Sequence, residues 1–541
     1  MTTGVQEIEG EAASVRGGPL SWVLGQFLKL TRVGAVSGTR VLSAAMAAAA
    51  TSLPLGIINY FNANEIADST PLDRVAIGAS IIAFVVAAIV GRFVAPHVAG
   101  VLIGALGYGF FSMSWIGNAP TWILLGVWVV VSLLGGSVFL WLIGNSRWSI
   151  TAAGVGACAA AIVLFAFAPQ PQVDVSESPT AQPIPEALAF TDTPEERPNV
   201  YLFVLDGFSR PDITIEQFAR HGIDFDISQS VSELETLGFD LDPEGTANYA
   251  ETILSVPSTL NAEYQLLPEE PVSGGEIWAD ARRALSGDNA LVNSFRAIGY
   301  EYWHSSSVIW DASACDTGVA DRCLGDPGLA NETRDAVWAE TPIRHLVGHD
   351  LDALPDPVTV VNNILEARSV VQEDQPYLVF SHILSPHQPY RFEADCQRRT
   401  DNNSDTLGFG NAPEHRVLYD DEARCLSTQL VDAMGALLEE DPTALVFLQA
   451  DHGSAFEADF GENVWNEEMT RERLGIFRMT RLPDDCRSED PVAQSLINTV
   501  PLLIGCVSGV EPDLREARVL LNTGSSVVSA QDWVADLVAA G

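Results

Sequence analysis

The chain has 541 residues and a formal net charge of −42, with 29 Lys and Arg against 71 Asp and Glu. The charge is divided unevenly. Residues 1–169 carry seven basic and six acidic side chains, a balance of +1, which leaves 22 basic and 65 acidic, or −43, in the remainder. A domain that acidic lacks the basic footprint that phosphate backbones require, which excludes a nucleic-acid binder.

Residues 1–40 read as a cytoplasmic segment. Glu7, Glu9 and Glu11 are wrong for the n-region of a signal peptide, so the first apolar run reads as an uncleaved anchor. Windows of about twenty apolar residues place five transmembrane helices within 41–168, at 41–60, 75–95, 98–114, 121–143 and 149–168. Between Arg92 and Arg147 there is no Asp, Glu, Lys or Arg, a stretch too long for one span. Arg16, Lys29, Arg32 and Arg40 precede the first span, and Arg92 and Arg147 fall in alternate loops, whereas the loop FNANEIADSTPLD is acidic. Positive charge marks the inner side. The expected topology is therefore a multi-pass cell-membrane protein whose chain after Ala168 is extracytoplasmic. Spans two to five hold almost no ionisable residue, His97 being the main exception. That argues against a transport pathway and for an anchor or lipid-facing platform.

Residues 169–197, rich in proline and acid, read as a semi-extended linker, and 198–541 as the extracytoplasmic catalytic domain. In it, NVYLFVLDG is an apolar run ending in Asp-Gly, the mark of a buried parallel strand. NALVNSFRAIGYEYWHS reads as helix, Gly stop, strand. VTVVNNILEARSVVQ and CLSTQLVDAMGALLEE read as helices that feed the strands YLVFSHIL and ALVFLQADHG. Repeated helix-then-strand units imply an α/β domain with a doubly wound, mostly parallel central sheet. Six of the seven cysteines fall after residue 300: Cys315, Cys323, Cys396, Cys425, Cys486 and Cys506. An even number suits disulfides in an oxidising compartment. Pairing in sequence order gives three short loops, one among about fifteen connectivities.

Ligands gather beyond the carboxyl ends of such strands. Asp206, His387 and the pair Asp451-His452 follow three of them. Asp and His are metal-ligand types, although a strand-terminal Asp alone is an ordinary turn or cap residue. His382, inside its strand, reads as packing behind it. The segment YAETILSVPSTLN, Tyr249 to Asn261, holds Thr252, which is either an activated hydroxyl at the mouth of a helix or a plain N-cap.

The series VLDG, ETILSVPSTL, HILSPHQPY, LQADHG resembles the sulfatase-like branch of the alkaline phosphatase superfamily. Within it the chain is most similar to membrane-anchored phosphotransferases, the lipoteichoic acid synthases and the lipid A phosphoethanolamine transferases, which also carry five transmembrane helices before an extracytoplasmic catalytic domain. The resemblance implies Thr252 as nucleophile and Asp206, Thr252, Asp451 and His452 as ligands of one divalent ion: Mn, Zn, Mg or Ca. It implies His387 as a substrate-contacting acid or base, and His304 and Trp310 in the head-group pocket; Arg391, with Arg398 and Arg399, is read as a local positive patch. Asp206 stands where the phosphoethanolamine transferases have Glu, and the further His that they carry after Asp-His-Gly is missing. Thr259 stands where a sulfatase needs Arg for formylglycine maturation, which disfavours arylsulfatase activity. The implied reaction moves a phosphoryl-linked head group from a membrane phospholipid to an envelope glycan or lipid acceptor through a phosphothreonine. The alternatives are a hydrolase of phosphodiesters or sulfate esters with the same site, and a non-catalytic envelope binding protein.

Overall fold

The computed structural model describes Ala45, Ala48 and residues 70–90, 96–110, 121–143, 184–268, 274–306, 315–325, 341, 355–399, 413–456, 465–522 and 527–530, except 317, 373, 389 and 489. The expected spans at 41–60 and 149–168 lie outside these apart from Ala45 and Ala48, as do Cys158, Trp310 and much of the linker. The chain divides into two compact units, one drawn chiefly from residues before Gln170 and one chiefly from those after it.

The first unit contains α1 (Thr70–Val90), α2 (Pro96–Phe110) and α3 (Thr121–Ile143). Pro71 and Pro96 sit in first turns, where a missing N–H costs nothing. The Trp128 indole of α3 donates to Leu106 O of α2 at 2.9 Å and meets Phe110 edge to face. Among the described residues no helix is long and apolar enough to cross a membrane. The sequence of α3 nevertheless runs 23 residues without a charge, so the spanning expectation continues to rest on the sequence.

The second unit is built on a seven-stranded sheet: β1 (Val200–Leu205), β2 (Asp240–Leu241), β3 (Glu301–Ser306), β4 (Arg322–Leu324), β5 (Tyr377–Ile383), β6 (Leu445–Ala450) and β7 (Arg478–Arg481). Their order is β2-β7-β6-β1-β5-β3-β4. The run β6-β1-β5-β3-β4 is parallel, whereas β7 is antiparallel to both its neighbours. The mostly parallel sheet read from the sequence is therefore present, with an antiparallel edge that its short strands did not announce.

The central strand is apolar throughout because it is covered on both faces. Tyr201, Phe203 and Leu205 face one core, and Val200, Leu202 and Val204 the other. In chain order the unit's helices are α4 (Pro211–Arg220), α5 (Ser228–Thr236), α6 (Thr252–Asn261), α7 (Gly274–Ser286), α8 (Ala290–Ala297), α9 (Pro357–Arg368), α10 (Pro413–Glu440), α11 (Glu467–Leu474) and α12 (Thr499–Ser508). The first core takes Val360 and Ile364 of α9 with Leu430, Met434 and Leu437 of α10. The second takes Val256 and Leu260 of α6, Phe295 of α8 and Leu503 of α12. Each such side chain removed from water contributes about 1.5–3 kcal/mol. Local signals agree with this packing: Asn289 caps α8 by accepting from Val292 N–H at 2.9 Å, and Gly299, at φ +91°, turns the chain into β3. The disulfides pair in sequence order, Cys315–Cys323, Cys396–Cys425 and Cys486–Cys506.

Register decides where chemistry can gather. Leu205 aligns with Ile383 on one side and Ala450 on the other. The residues that follow β1, β5 and β6 therefore emerge together on one rim.

Candidate active site

Asp206 and Asp451 leave adjacent parallel strands at the same level, so their carboxylates emerge side by side. Asp451 Oδ1 accepts from the N–H groups of Gly207 at 3.1 Å and His452 at 2.9 Å. That fixes the carboxylate with Oδ2 only 3.3 Å from His452 Nε2. The same nitrogen lies 3.7 Å from Asp206 Oδ1 and 3.1 Å from Thr252 Oγ1. Its partner atom Nδ1 faces Gly453 O at 3.0 Å. A carbonyl only accepts, so Nδ1 carries the proton and Nε2 presents its lone pair to the centre of the group. Asp206, Thr252, Asp451 and His452 are all buried.

Thr252 is the first residue of α6, and the residue in the N-cap position is Glu251. The plain N-cap reading of this threonine is thereby excluded. Its hydroxyl stands at the positive end of a ten-residue helix, where first-turn N–H groups lack intrahelical acceptors. Ser255 Oγ donates to Asp451 O at 2.6 Å and locks α6 to the β6 rim.

One member of the group departs from expectation. His382 does not merely pack behind its strand. It aligns with Val204, is fully buried, and holds Nε2 3.4 Å from Asp206 Oδ2. Ligand atoms of Asp206, His382 and Asp451 all lie within 4.8 Å of one another. Within this group neither Asp206 oxygen, nor Asp451 Oδ2, accepts a well-formed hydrogen bond. Burying carboxylate oxygens without donors is costly, and a divalent cation would satisfy them. Oxygen and imidazole donors in this mixture suit a divalent ion.

The electrostatics describe two carboxylates with one shared centre. Burial opposes ionisation of Asp206, but the positive charges of His387 and His382 outweigh it and hold its carboxyl below the usual range. Burial, and then the charge on Asp206, push Asp451 up to about 6. Like charges at this distance cannot both ionise freely without a cation. Burial, and then Arg473, hold His452 well below its ordinary value, so its ring is neutral. For His382, burial opposes the charged form, but the Asp206 carboxylate, 3.4 Å from its Nε2, raises its pKa.

Arg473, at the end of α11, carried no signal in the sequence. It is buried, and donates through Nε to Ala250 O at 2.6 Å and through Nη1 to Gly453 O at 2.7 Å. It thus ties the segment before Thr252 to the segment after His452. Gly453 is required by space, because a Cβ there would lie 2.0 Å from Glu472 O.

His387 reaches the same rim on the loop after β5. Its N–H donates to Asp206 O at 2.9 Å, and its Cβ packs 3.6 Å from where a side chain on Gly207 would begin. His304 is placed differently. It aligns with Phe380, one pleat back from His382, and is fully buried against the Phe380 ring and the Tyr302 hydroxyl, 3.0 Å from Nδ1. Arg391 lies with Nε 3.8 Å from Glu422, and Arg399 pairs with Glu393 and Asp421. Arg391 and Arg399 thus each face a carboxylate, and Arg398 lies over the Phe392 ring.

No family model and no curated protein matches the chain. Solved structures similar to it include the zinc complex of the C-terminal periplasmic domain of EcEptC from Escherichia coli (12% identity, 64% of this chain and 96% of that one, TM-score 0.40). A second is the integral membrane protein lipooligosaccharide phosphoethanolamine transferase A from Neisseria meningitidis (12%, 86% and 95%, TM-score 0.37). A third is the phosphonate monoester hydrolase of Agrobacterium radiobacter (13%, 60% and 80%, TM-score 0.36).

Proposed function

We propose that this chain is a membrane-anchored, metal-dependent transferase that moves a phosphoryl-linked head group from a phospholipid to an envelope acceptor through a covalent phosphothreonine. The observation that carries the reading is Thr252: a buried hydroxyl at a helix N-terminus, 3.1 Å from a neutral imidazole nitrogen and beside two carboxylates short of donors.

Asp206, Asp451 and His452, with His382 alongside, would hold the ion, and that ion would lower the cost of the Thr252 alkoxide and polarise the phosphoryl group. Of the two acceptors that the Thr252 hydroxyl faces, His452 Nε2 would give its single lone pair to the ion, which leaves the Asp451 carboxylate to take the proton. In the first step Thr252 Oγ forms a bond to phosphorus as the bond to the diacylglycerol oxygen breaks; the Thr252 proton goes to the Asp451 carboxylate, and His387 gives its proton to the leaving oxygen. In the second, the acceptor hydroxyl gives its proton to His387 and attacks the same phosphorus, the Thr252–phosphorus bond breaks, and Thr252 regains its proton from Asp451. The α6 N-terminus faces charge developing on the phosphoryl oxygens, and His387 serves as the acid that meets the leaving group. The charge-poor segment before residue 169 supports a multi-pass anchor that keeps the domain near lipid donors.

The test is product analysis. Protein in phospholipid vesicles loaded with manganese or zinc should release diacylglycerol, and Thr252→Ala should not. Transfer to an added glycan or lipid acceptor separates the transferase from the hydrolase, in which water alone receives the group. Equal release by Thr252→Ala and the unaltered protein would sink both.

A further inference from the structure

We propose that Glu422 is a positioning residue of this site, acting from α10 through the backbone that carries His387. The inference rests on the proposed role of His387 and adds a residue that no sequence pattern marks. Glu422 is fully buried. Its Oε2 accepts from two successive backbone N–H groups, Arg391 and Phe392, each at 2.7 Å. Its Oε1 accepts from Ser385 Oγ at 3.1 Å and faces Arg391 Nε at 3.8 Å. One carboxylate thus grips the loop two residues before His387 and again four and five residues after it. Charge-assisted bonds to backbone N–H groups are among the stronger hydrogen bonds.

The neighbouring residues of the helix repeat the grip. Asp421 pairs with Arg399, and Cys425, one turn further along α10, is bonded to Cys396. On its other side the loop is fixed to the metal group by the His387 N–H, which donates to Asp206 O at 2.9 Å. The segment 385–399 is therefore strapped between α10 and the end of β1, with His387 at the fixed end. Glu422 touches none of the proposed ligands; its contacts are with the loop.

Two conservative variants separate position from charge. Glu422→Gln drops the charge but keeps an amide oxygen able to reach both N–H groups. Glu422→Asp keeps the charge but withdraws it by one methylene. Hydrogen exchange followed by mass spectrometry should show faster exchange across 385–392 in Glu422→Asp and little change in Glu422→Gln, with peptides of β1 and β6 unaltered in both. Diacylglycerol release from phospholipid vesicles with manganese, whose poor leaving oxygen needs an acid, should fall by up to about 10²-fold in Glu422→Asp, the cost of roughly an ångström of misplacement, while manganese affinity stays within about threefold of the unaltered protein. Combined with His387→Ala, Glu422→Asp should add little further loss, because both act through one group. Unchanged exchange in Glu422→Asp, a deeper loss in Glu422→Gln than in Glu422→Asp, or additive losses in the double variant would overturn the proposal. If the unaltered protein releases no diacylglycerol, the functional reading fails, and the exchange pattern alone decides for or against the strap.

Discussion

Gly453→Ala is the sharpest test of how the site is assembled. The added Cβ would sit 2.0 Å from Glu472 O, 2.9 Å from Ser209 Oγ and 3.0 Å from Gly475 O. Two of these are backbone atoms at the end of α11 and cannot swing away as a side-chain tip can. The end of the helix must move by more than an ångström, and Arg473 moves with it. Overpacking of this kind costs about 1–3 kcal/mol. Loss of the bond from Arg473 Nη1 to Gly453 O adds about 1.5–3 kcal/mol for a hydrogen bond to a charged group. We expect a total near 3–5 kcal/mol, or a fall in melting temperature of about 4–7 °C in a domain of roughly 340 residues. Manganese affinity should fall at least about tenfold, since His452 is the preceding residue and Gly453 O orients its ring. Thermal unfolding in detergent and calorimetric titration with manganese measure the two effects. A Gly453→Ala protein that melts within about 2 °C of the parent, with unchanged affinity, would show that the α11 end does not hold Gly453 and His452 in place.

The remaining predictions concern charge and the nucleophile. Metal binding should weaken as pH falls below about 6, because Asp451 then keeps its proton and must release it to become a ligand; a flat affinity from pH 7 to 5 would contradict this. The sign for the metal-free fold is opposite to that of a salt-bridged carboxylate. Its pKa is raised above the unfolded value of about 3.9, so Asp451 makes the metal-free protein less stable as pH rises from there to about 6, measurable by urea unfolding in chelator. Arg473→Lys keeps the charge but cannot bridge Ala250 O and Gly453 O together; turnover should drop about tenfold or more while manganese still binds. Thr252→Ser should retain measurable diacylglycerol release, because a hydroxyl remains on the first residue of α6, whereas Thr252→Ala should abolish it.

The parts of the fold legible in the sequence were those in which local pattern and tertiary burial agree. VYLFVL, YLVFSHI and LVFLQA are apolar runs because β1, β5 and β6 are covered on both faces. The antiparallel edge was not legible, since β2 has two residues and β7 reads RMTR. The signal for His382 was available but outweighed. Strand parity puts it on the same face as Leu378 and Phe380, and its apolar surroundings suggested packing, whereas its place at the end of β5 puts it beside Asp206. Arg473 and Glu422 had no local signal, because their partners lie about 20 to 220 residues away in sequence. The Asp-His-Gly glycine is explained only by the α11 end that crosses it.

The central claim, that the Thr252 hydroxyl carries the transferred group, is open to one direct measurement. Protein purified from membranes with its lipid and rapidly denatured is digested, and the peptide spanning Thr252 is weighed. Thr252 should carry an added mass equal to a phosphoryl-linked head group, absent from Thr252→Ala and lost when acceptor is supplied. An unmodified Thr252 in protein that holds metal and is turning over donor lipid would contradict that claim.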